Sequence, residues 1–434
     1  MNRQNSMNHS TYPGKILKSF AKTIVVQLIA FILVHGLMIK TASAEPENGN
    51  SESLFSSNWF DARWIPQSFQ IHGFLSQGFV YTSSNNFFGH SQNSVSTDYR
   101  EIGINGSWRL IPELQLSLQA VFRDAGATDE QGVRIDYGLA DYRLYSTESS
   151  LLGIKGGRVP TPLGFYNETR DVLSSRPSIL LPQSIYFDRN RNLALSADGG
   201  YLYGEYRTQF GDFFFDVGGV VPRLNDADAE FAITRDLPGK LNGQTSWVGR
   251  VAYEWQGGRV RASITYADFN IKYKTRNPVN QSGIIRFNPL IFSVQYNGEK
   301  WSLTSEYELS RRRFDEFGFP PDSDTIGVGY YVQGTYRLTS WVEGLIRYDN
   351  LVLDRNDKKG KRFSLANGGR MPAHSRFAKD FTIGLRFTLA PNLSLSAEYH
   401  HINGTGWLAD IENKDPGKTK KRWDMVLWMI SYSF

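Results

Sequence analysis

Cysteine is absent from the 434-residue sequence. Its absence excludes disulfides, catalysis by a thiol and any metal site built from cysteine thiolates. A chain without thiols is also suited to crossing an oxidising compartment, because no unwanted disulfide can form there. The fold must therefore be held together by apolar burial, hydrogen bonds and ion pairs.

Long apolar segments are almost absent as well. After residue 44 no stretch approaches the roughly 18 consecutive apolar residues of a membrane-spanning helix. The sequence therefore predicts no transmembrane helix in that part of the chain. The aromatic content is high by contrast, with 28 Phe, 22 Tyr and 10 Trp. A chain of this composition can still cross a membrane if its spans are strands.

The first 44 residues have the features of an export signal. An apolar run at 23–39 follows a basic region and precedes the small residues of 41–44. This order is typical of a secretory signal peptide, with cleavage expected after Ala44. The alternative is an uncleaved membrane anchor, which the polar residues within the run disfavour. We therefore assign residues 1–44 to a cleaved signal peptide.

The basic character of the whole chain comes from this leader. The sequence has 48 Lys and Arg residues against 43 Asp and Glu residues. Five of the basic residues and none of the acidic residues lie in the leader, so 43 of each sign remain after it. A balanced charge gives no electrostatic footprint for nucleic acid. We therefore expect no nucleic-acid partner.

From residue 69 onward the hydrophobic periodicity is two. In residues 114–120 apolar side chains alternate with glutamine and serine, and residues 381–389 repeat the form. Such alternation is typical of strands with one apolar face. Sixteen segments of this kind predict an all-β fold, and they lie near 69–82, 98–110, 114–123, 133–145, 150–159, 200–210, 213–222, 245–256, 259–273, 283–296, 301–313, 325–338, 341–354, 377–389, 393–403 and 423–434.

The connections between these segments fall into two sets. Those after even-numbered segments are tight and contain turn residues, as at 211–212 and 257–258, whereas those after odd-numbered segments are longer and polar. Short turns at one end and long loops at the other are features of an outer-membrane barrel. We predict a closed antiparallel transmembrane β-barrel of about 16 strands over residues 67–434, with short periplasmic turns and long extracellular loops. A flexible periplasmic segment at 45–66 precedes it.

Each strand of such a barrel is expected to have an apolar face toward lipid and a polar face toward the lumen. Sixteen strands leave an aqueous channel that wall side chains cannot fill. Tryptophans at strand ends, among them Trp108 and Trp341, are expected in the two interfacial girdles. The charged residues predicted to form the pore wall are Arg123, Arg143, Arg207, Arg250, Glu306, Arg347, Arg386 and Glu398.

One long connection differs from the others. Residues 160–199 join the fifth and sixth segments and are partly apolar. A long ordered loop in a compact domain usually has a function, and the apolar content of this one suits a packed position rather than a solvated one. Its place in the order makes it the third external loop. Its charged residues are Arg170, Asp171, Arg176, Asp188, Arg189 and Arg191.

The last predicted strand reaches the final residue of the chain. Its even-numbered residues from Val426 to Phe434 are apolar or aromatic and are predicted to face lipid. This strand must pair with the first, because an open edge in lipid would leave backbone groups without partners. We therefore predict that the last strand closes the barrel.

The export signal, the alternating segments, the long third loop and the terminal aromatic residue together resemble the outer-membrane porins of Gram-negative bacteria. The resemblance covers roughly residues 67–434 at the level of architecture. It implies a location in the cell outer membrane, a homotrimer in contact with lipid and lipopolysaccharide, and passive diffusion of small hydrophilic solutes or ions. It also implies no enzyme activity and no cofactor.

In porins the third external loop folds into the barrel and narrows the pore. The resemblance therefore implies that residues 160–199 form a constriction, in which the six charged residues named above set the local field. The arginines among them predict a preference for anions. The alternative for this loop is a packed insert over the barrel rim. The resemblance also implies that Trp428, Tyr432 and Phe434 are part of the assembly signal read by the barrel insertion machinery.

Other functions stay open at this stage. Long external loops also suit an adhesin or a receptor barrel. A barrel hydrolase would need a base beside a nucleophile or an activated water, and His400 and His401 lie near one strand end. The basic run at 418–422 suits either lipopolysaccharide phosphates or a solvated loop. The spaced carboxylates at 225–230 lack a full calcium ligand set, so no metal site is predicted.

Overall fold

The computed structural model describes most of the chain after the predicted export signal. The described residues are 68–129, 132–172, 175–189, 191–224, 239–276, 281–317 and 322–434. The predicted signal peptide at 1–44, the lead-in at 45–66 and the carboxylates at 225–230 lie outside them. Among the described residues no helix is long and apolar enough to cross a membrane.

Regular β-structure follows the alternating segments of the sequence. The strands that the described residues form are Phe69–Thr82 (β1), Val95–Ile111 (β2), Leu114–Ala125 (β3), Gly132–Ser146 (β4), Ser150–Pro160 (β5), Ser196–Thr208 (β6), Gly211–Pro222 (β7), Gly239–Trp255 (β8), Val260–Thr275 (β9), Gly283–Asn297 (β10), Trp301–Asp315 (β11), Ser323–Arg337 (β12), Val342–Val352 (β13), Phe377–Ala390 (β14), Leu393–Gly404 (β15) and Arg422–Ser433 (β16).

These strands form one closed antiparallel barrel. Each strand pairs with its neighbours in the sequence, and β16 pairs with β1. The closing register runs from Phe74 opposite Ser433 to Thr82 opposite Met425. Closure gives every strand two hydrogen-bonded neighbours, so no edge is left for lipid. The predicted fold class is therefore confirmed.

Strands β6 and β8 begin well before the positions that the side-chain pattern predicted. Strand β6 begins at Ser196, where its backbone still pairs with β5, so the predicted loop 160–199 is in fact the connection 161–195. Strand β8 begins at Gly239 and pairs with β9 out to Thr275. Backbone groups continue to pair where side chains no longer alternate, because pairing satisfies polar groups whatever the side chain.

The two ends of the barrel differ in their connections. Tight turns such as 209–210 and 391–392 define the short-turn end, and longer segments such as 161–195 and 353–376 define the long-loop end. At the turn between β8 and β9, Gln256, Gly257 and Gly258 all have positive φ angles. Glycine adopts this conformation without the steric cost that a Cβ imposes.

The outer surface of the barrel is apolar. Large apolar side chains on the strands are exposed there, including Ile104, Val251 and Ile264, and exposed tryptophans such as Trp301 and Trp341 lie at strand ends. A surface of this kind is stable when lipid covers it. The alternate side chains point inward and are mostly polar, as the sequence pattern predicted.

The inner face of β16 is an exception to that pattern. Its inward side chains are apolar and buried, and they are Trp423, Met425, Leu427 and Met429. They pack with Val80 of β1 and with Ile179 and Leu180 of the connection 161–195. The prediction of a polar inner face is therefore wrong for this strand, because a protein segment rather than water covers it.

The last residue completes the closing seam between β1 and β16. The backbone nitrogen of Gly73 donates to the carbonyl of Phe434 at 2.8 Å, and the nitrogen of Phe434 donates to the carbonyl of Gly73 at 2.9 Å. A Cβ atom on Gly73 would overlap the Phe434 ring. Because residue 73 has no side chain, the Phe434 ring can pack directly against its backbone.

We expect the Gly73→Ala substitution to lower the free energy of unfolding by about 1–3 kcal/mol, because the added methyl group displaces the Phe434 ring. Unfolding in denaturant, followed by the gel mobility of the folded barrel, measures this effect. Gly334→Ala is the matched control, since the nearest atom to its new Cβ lies at 3.7 Å. Equal stability of the two variants would contradict this account of the seam.

Candidate functional site

The connection 161–195, here called the inner loop, leaves the barrel wall and returns to it at one place. The backbone nitrogen of Thr161 donates to the carbonyl of Leu195 at 3.1 Å. The Asn167 side chain donates to the carbonyls of Thr161 and Ala194 at 2.8 and 2.7 Å. These bonds form a neck, so the rest of the loop is free to extend away from β5 and β6.

On one side the inner loop is held by an arginine of β3. Arg123 places its Nη2 2.9 Å from Asp188 of the loop, its Nε 3.0 Å from Glu101 of β2, and its Nη1 2.9 Å from Asp129. Only 1 % of the Arg123 side chain is exposed. A planar guanidinium can serve several carboxylates at once because its donors point outward in a fixed fork.

Further arginines of the inner loop extend this group, which we call the ion cluster. Arg176 donates to the second oxygen of Glu101 at 2.7 Å. Arg191 pairs with Asp171 within the loop, and Arg170 lies 3.7 Å from Asp188. Arginines and carboxylates thus alternate through a buried volume, where each charge needs a partner.

On another side the loop is held by β13, β14 and β15. The backbone nitrogens of Ile179 and Leu180 donate to the two oxygens of Glu398 at 2.5 and 3.3 Å. The Arg347 guanidinium donates to the Ser178 hydroxyl at 3.0 Å. Arg386 donates to a loop carbonyl, that of Arg176, at 2.5 Å.

A third attachment is centred on Glu306 of β11. One of its oxygens accepts the Tyr186 hydroxyl at 2.6 Å and the Tyr331 hydroxyl at 2.8 Å. The other accepts the backbone nitrogen of Phe165 at 3.0 Å and the Ser293 hydroxyl at 2.5 Å. One buried carboxylate therefore ties two separate parts of the loop to the wall.

A fourth attachment lies on β8. Arg250 pairs with Glu168 of the inner loop and also donates to Asp216 of β7 at 2.8 Å. The attachments are thus distributed over β2–β3, β7–β8, β11 and β13–β15, which lie around the barrel in that order. A single loop bonded to inward side chains on all of these strands must cross the bore of the barrel.

The predicted loop residues differ in their surroundings. Arg170, Asp171, Arg176, Asp188 and Arg191 are buried. Burial lowers the pKa of Arg170 and Arg191, and the guanidinium of Arg123 lowers both further. These side chains are held in ion pairs instead of lining open water.

Arg189, the sixth predicted loop residue, belongs to a different neighbourhood. It donates to the carbonyl of Leu408 at 3.1 Å and lies 3.4 Å from Asp410, so it joins the inner loop to the connection between β15 and β16. Burial lowers the pKa of Arg376, Asp354 opposes that shift, and Arg189 adds to it. Arg189 and Arg376 therefore lie close enough near the long-loop end for their positive charges to interact.

The predicted wall residues fall into two groups. Those that contact the inner loop directly are Arg123, Arg250, Glu306, Arg347, Arg386 and Glu398. Arg143 and Arg207 lie close to the short-turn ends of β4 and β6. The Arg207 side chain is exposed and pairs with Glu205.

Several important side chains were not among the predicted site residues. Tyr186 and Glu101 each anchor the loop, but neither has a sequence neighbourhood that marks it. The alternation of side chains along β2 placed Glu101 on the inner face of the barrel. No neighbouring residue in the sequence identified its partner, Arg176. Among the described residues no group of three or more His, Asp or Glu side chains is placed to hold a metal ion.

The histidine pair considered for hydrolysis is split by the strand. His400 points inward and is fully buried, with Nδ1 2.8 Å from Asp380 and Nε2 3.3 Å from Glu398. His401 points outward and lies 2.7 Å from Asp424. Alternation of side chains along β15 separates the two rings, because neighbours in a strand face opposite sides.

Comparison with known proteins bears on the fold of the chain. No protein-family model and no curated protein matches the sequence. Among solved structures, the chain is similar to OmpF of Salmonella typhi in complex with daunomycin, at 15% identity and a TM-score of 0.54, with 84% of this chain and 97% of that chain covered.

Two further solved structures show the same likeness. The anion-selective porin from Comamonas acidovorans is 13% identical, with a TM-score of 0.53 and coverage of 85% of this chain and 99% of that chain. The outer membrane channel DcaP of Acinetobacter baumannii is 11% identical, with a TM-score of 0.50 and coverage of 84% and 97%. At these identities the likeness establishes that the chain has the barrel fold of outer-membrane porins.

The ion cluster gives a pH-dependent prediction through Asp129, which lies outside the strands. Burial raises the pKa of this carboxyl, but the guanidinium groups of Arg123 and Arg134 outweigh burial and the pKa is lowered from its ordinary value of 3.8. A group with a lowered folded pKa stabilises the fold above its unfolded pKa. That stabilisation is lost as the pH falls below 3.8 through the folded value.

We expect the Asp129→Asn substitution to cost about 1–3 kcal/mol of unfolding free energy at pH 7, because a buried charged hydrogen bond is lost. The difference from the unsubstituted protein should shrink toward zero as the pH falls below 3.8. Denaturant titrations at several pH values measure it, with Asp324→Asn, in an exposed ion pair, as the control. A difference that stays constant with pH would contradict the assignment.

Proposed function

We propose that the protein is an outer-membrane porin, a passive diffusion channel for small hydrophilic solutes or ions that the inner loop narrows. The observation that carries this proposal is the attachment of one loop to inward side chains around the barrel. A loop so attached occupies part of the bore along its whole path. The porin-like fold, the apolar outer surface and the predicted export signal support the same function.

The channel would work by sieving, because the attached loop reduces the width available to a solute. Ion pairs and hydrogen bonds on four sides keep the loop in one position, so the narrowing is built into the resting protein. Transport then needs no energy source beyond the solute gradient. The loop acts through its position, and its buried arginines serve mainly to hold it there.

We propose an outer-membrane location with the long-loop end outside and the short-turn end toward the periplasm. The apolar outer surface supports contact with membrane lipid, and the exposed basic loop before β16 suits contact with lipopolysaccharide phosphates. A homotrimer is proposed from the resemblance to porins alone. Recognition of Trp428, Tyr432 and Phe434 by the insertion machinery is proposed on the same ground.

A role for Phe434 in recognition can be separated from its role in the seam. Deletion of Phe434 is expected to reduce the amount of barrel inserted in cells more than the yield of barrel refolded in detergent, because only the cell uses the insertion machinery. Quantitative immunoblots of outer membranes, compared with refolding yields, measure the two effects. Equal losses of inserted barrel in cells and of refolded barrel in detergent would contradict the recognition role and leave Phe434 with its role in the closing seam alone.

We infer that the barrel is not an enzyme. Both ring nitrogens of His400 are directed at carboxylates, and its ring is fully buried. A general base needs access to a water or substrate proton. An adhesin would need no loop bonded across its bore, so the passive channel accounts better for the inner loop.

The charge preference of the channel is proposed from a different set of arginines than the sequence suggested. The loop arginines of the ion cluster are paired with carboxylates, which largely cancels their field at a distance. Arg312 and Arg376 lie close enough to influence each other near the long-loop end, whereas the nearby Arg189 is paired with Asp410. A positive entrance of this kind attracts anions.

We expect the deletion of residues 165–190 to raise single-channel conductance, because it removes the segment that crosses the bore. Planar-bilayer recordings on the purified protein measure the change. The matched control is a deletion of residues 361–369 in another long connection, where a Cβ atom added to Gly368 or Gly369 would meet no atom within 4 Å. Unchanged conductance after the first deletion would indicate that the loop only covers the rim.

Reversal potentials in a salt gradient should show a preference for anions over cations. Replacement of Arg376 by Gln is expected to lower the anion-to-cation permeability ratio by about twofold, because one charge of the entrance is removed. Arg311→Gln is the control, since Arg311 is exposed on the barrel wall and pairs with Asp324. Cation selectivity of the unsubstituted channel would contradict the proposal.

A further inference from the structure

A cavity of about 150 Å³ lies between the inner loop and the wall strands β9, β10 and β11. Most of its lining is apolar, and it includes Ile185 and Phe187 of the loop with Ile271, Phe287 and Ile291 of the wall. An apolar cavity of about this volume is the size that accommodates a benzene ring. Nothing in the proposed sieving function accounts for it.

The cavity lies on the long-loop side of the Glu306 attachment. Strand β11 begins at Trp301 at the short-turn end and runs to Asp315, and the lining residues Glu308 and Arg312 follow Glu306 along it. A solute that enters from the long-loop end would therefore reach the cavity before it reaches the Glu306 attachment. This position suits a site that captures a solute ahead of the narrowing.

Arg312 supplies a positive charge in the lining that is not neutralised by contact. Its guanidinium lies 6.0 Å from the ring centre of Phe187 and 5.8 Å from that of Phe287. Its hydrogen bond to the Ser310 hydroxyl is long, at 3.4 Å. Within the part of the chain that the structure describes, it forms no ion pair within 4 Å. Aromatic faces orient a guanidinium and leave its outward donors available to a carboxylate.

Glu308 supplies the second polar group. Glu308 lines the same cavity and is only 2 % exposed. Its Oε1 atom has no hydrogen-bond partner among the described residues. A buried oxygen without a partner is costly, so such groups in native proteins usually have a ligand, an ion or a water. A hydroxyl or N–H group of a bound molecule would satisfy this oxygen.

We propose that this cavity binds a small aromatic carboxylate that also carries a hydroxyl group, of the size of 4-hydroxybenzoate. The ring fills the apolar volume beside Phe287 and Ile291, the carboxylate pairs with Arg312, and the hydroxyl donates to Glu308. The inference rests on the proposed function, because it makes the channel favour this class of solute by binding it ahead of the constriction.

The first test is block of ion current in planar bilayers by 4-hydroxybenzoate. Its half-blocking concentration should be at least about tenfold lower than those of two control compounds, acetate and benzyl alcohol. Acetate has the charge without the ring, and benzyl alcohol has the ring without the charge. Equal potency of the three compounds overturns the proposal.

Substitutions in the lining test the assigned contacts. Arg312→Gln should raise the half-blocking concentration of 4-hydroxybenzoate by about tenfold or more, since it removes the ion pair. Arg311→Gln, at the neighbouring exposed position, should leave it unchanged. Glu308→Leu should weaken 4-hydroxybenzoate and leave benzoate unchanged, because only the former has the hydroxyl. Ile291→Trp fills the cavity and should abolish the block, so the site remains testable if one variant does not fold.

Calorimetric titration of 4-hydroxybenzoate into the purified full-length protein separates this inference from the proposed function. A protein that conducts but does not bind the compound refutes the site and leaves the porin function standing. A protein that binds the compound but does not conduct refutes the porin function and leaves the site standing. Binding that Arg312→Gln and Ile291→Trp do not weaken also refutes the site.

Discussion

The structure depends on one constraint, the need to pair every backbone N–H and C=O group that faces lipid. An unpaired group in hydrocarbon costs several kcal/mol, so a β-sheet in a membrane must close on itself. In this chain closure is made by β16 against β1, and it extends to the backbone of the final residue. The terminal Phe434 is therefore part of the wall, unlike the frayed ends of most chains.

Closure has a consequence for the interior. A barrel of this width encloses more space than its wall side chains can fill, and here a loop crosses that space. The loop carries polar backbone groups into the bore, and carboxylates of the wall accept from several of them, as Glu306 and Glu398 do. The charged wall residues thus have a structural task, since they accept from or donate to polar groups of this loop.

Much of the fold followed from the alternation of side chains. The period of two predicted most strands to within a few residues, because burial on one face is a property of consecutive positions. The segregation of short and long connections identified the barrel. The inner face of β16 was predicted incorrectly, since Met425 and Leu427 are buried against Ile179 and no local pattern reveals that partner.

The candidate site was only partly predictable for the same reason. Alternation placed Arg123, Glu306, Arg347 and Glu398 on the inner face, but it did not identify their partners. The pairing of Arg123 with Asp188 joins residues that are 65 positions apart, and that of Glu398 with Ile179 joins residues that are 219 apart. Such pairs depend on the path of the inner loop across the bore.

The sequence by itself determined the strand order, the division into turns and loops, and the face on which each wall residue lies. These properties are local, because each depends on the next few residues of the chain. The tertiary structure alone decided that the loop arginines are neutralised in ion pairs, and that Arg312 and Glu308 line an apolar cavity. Those outcomes depend on which distant side chains closure brings together, and the periodicity of a strand carries no information about them.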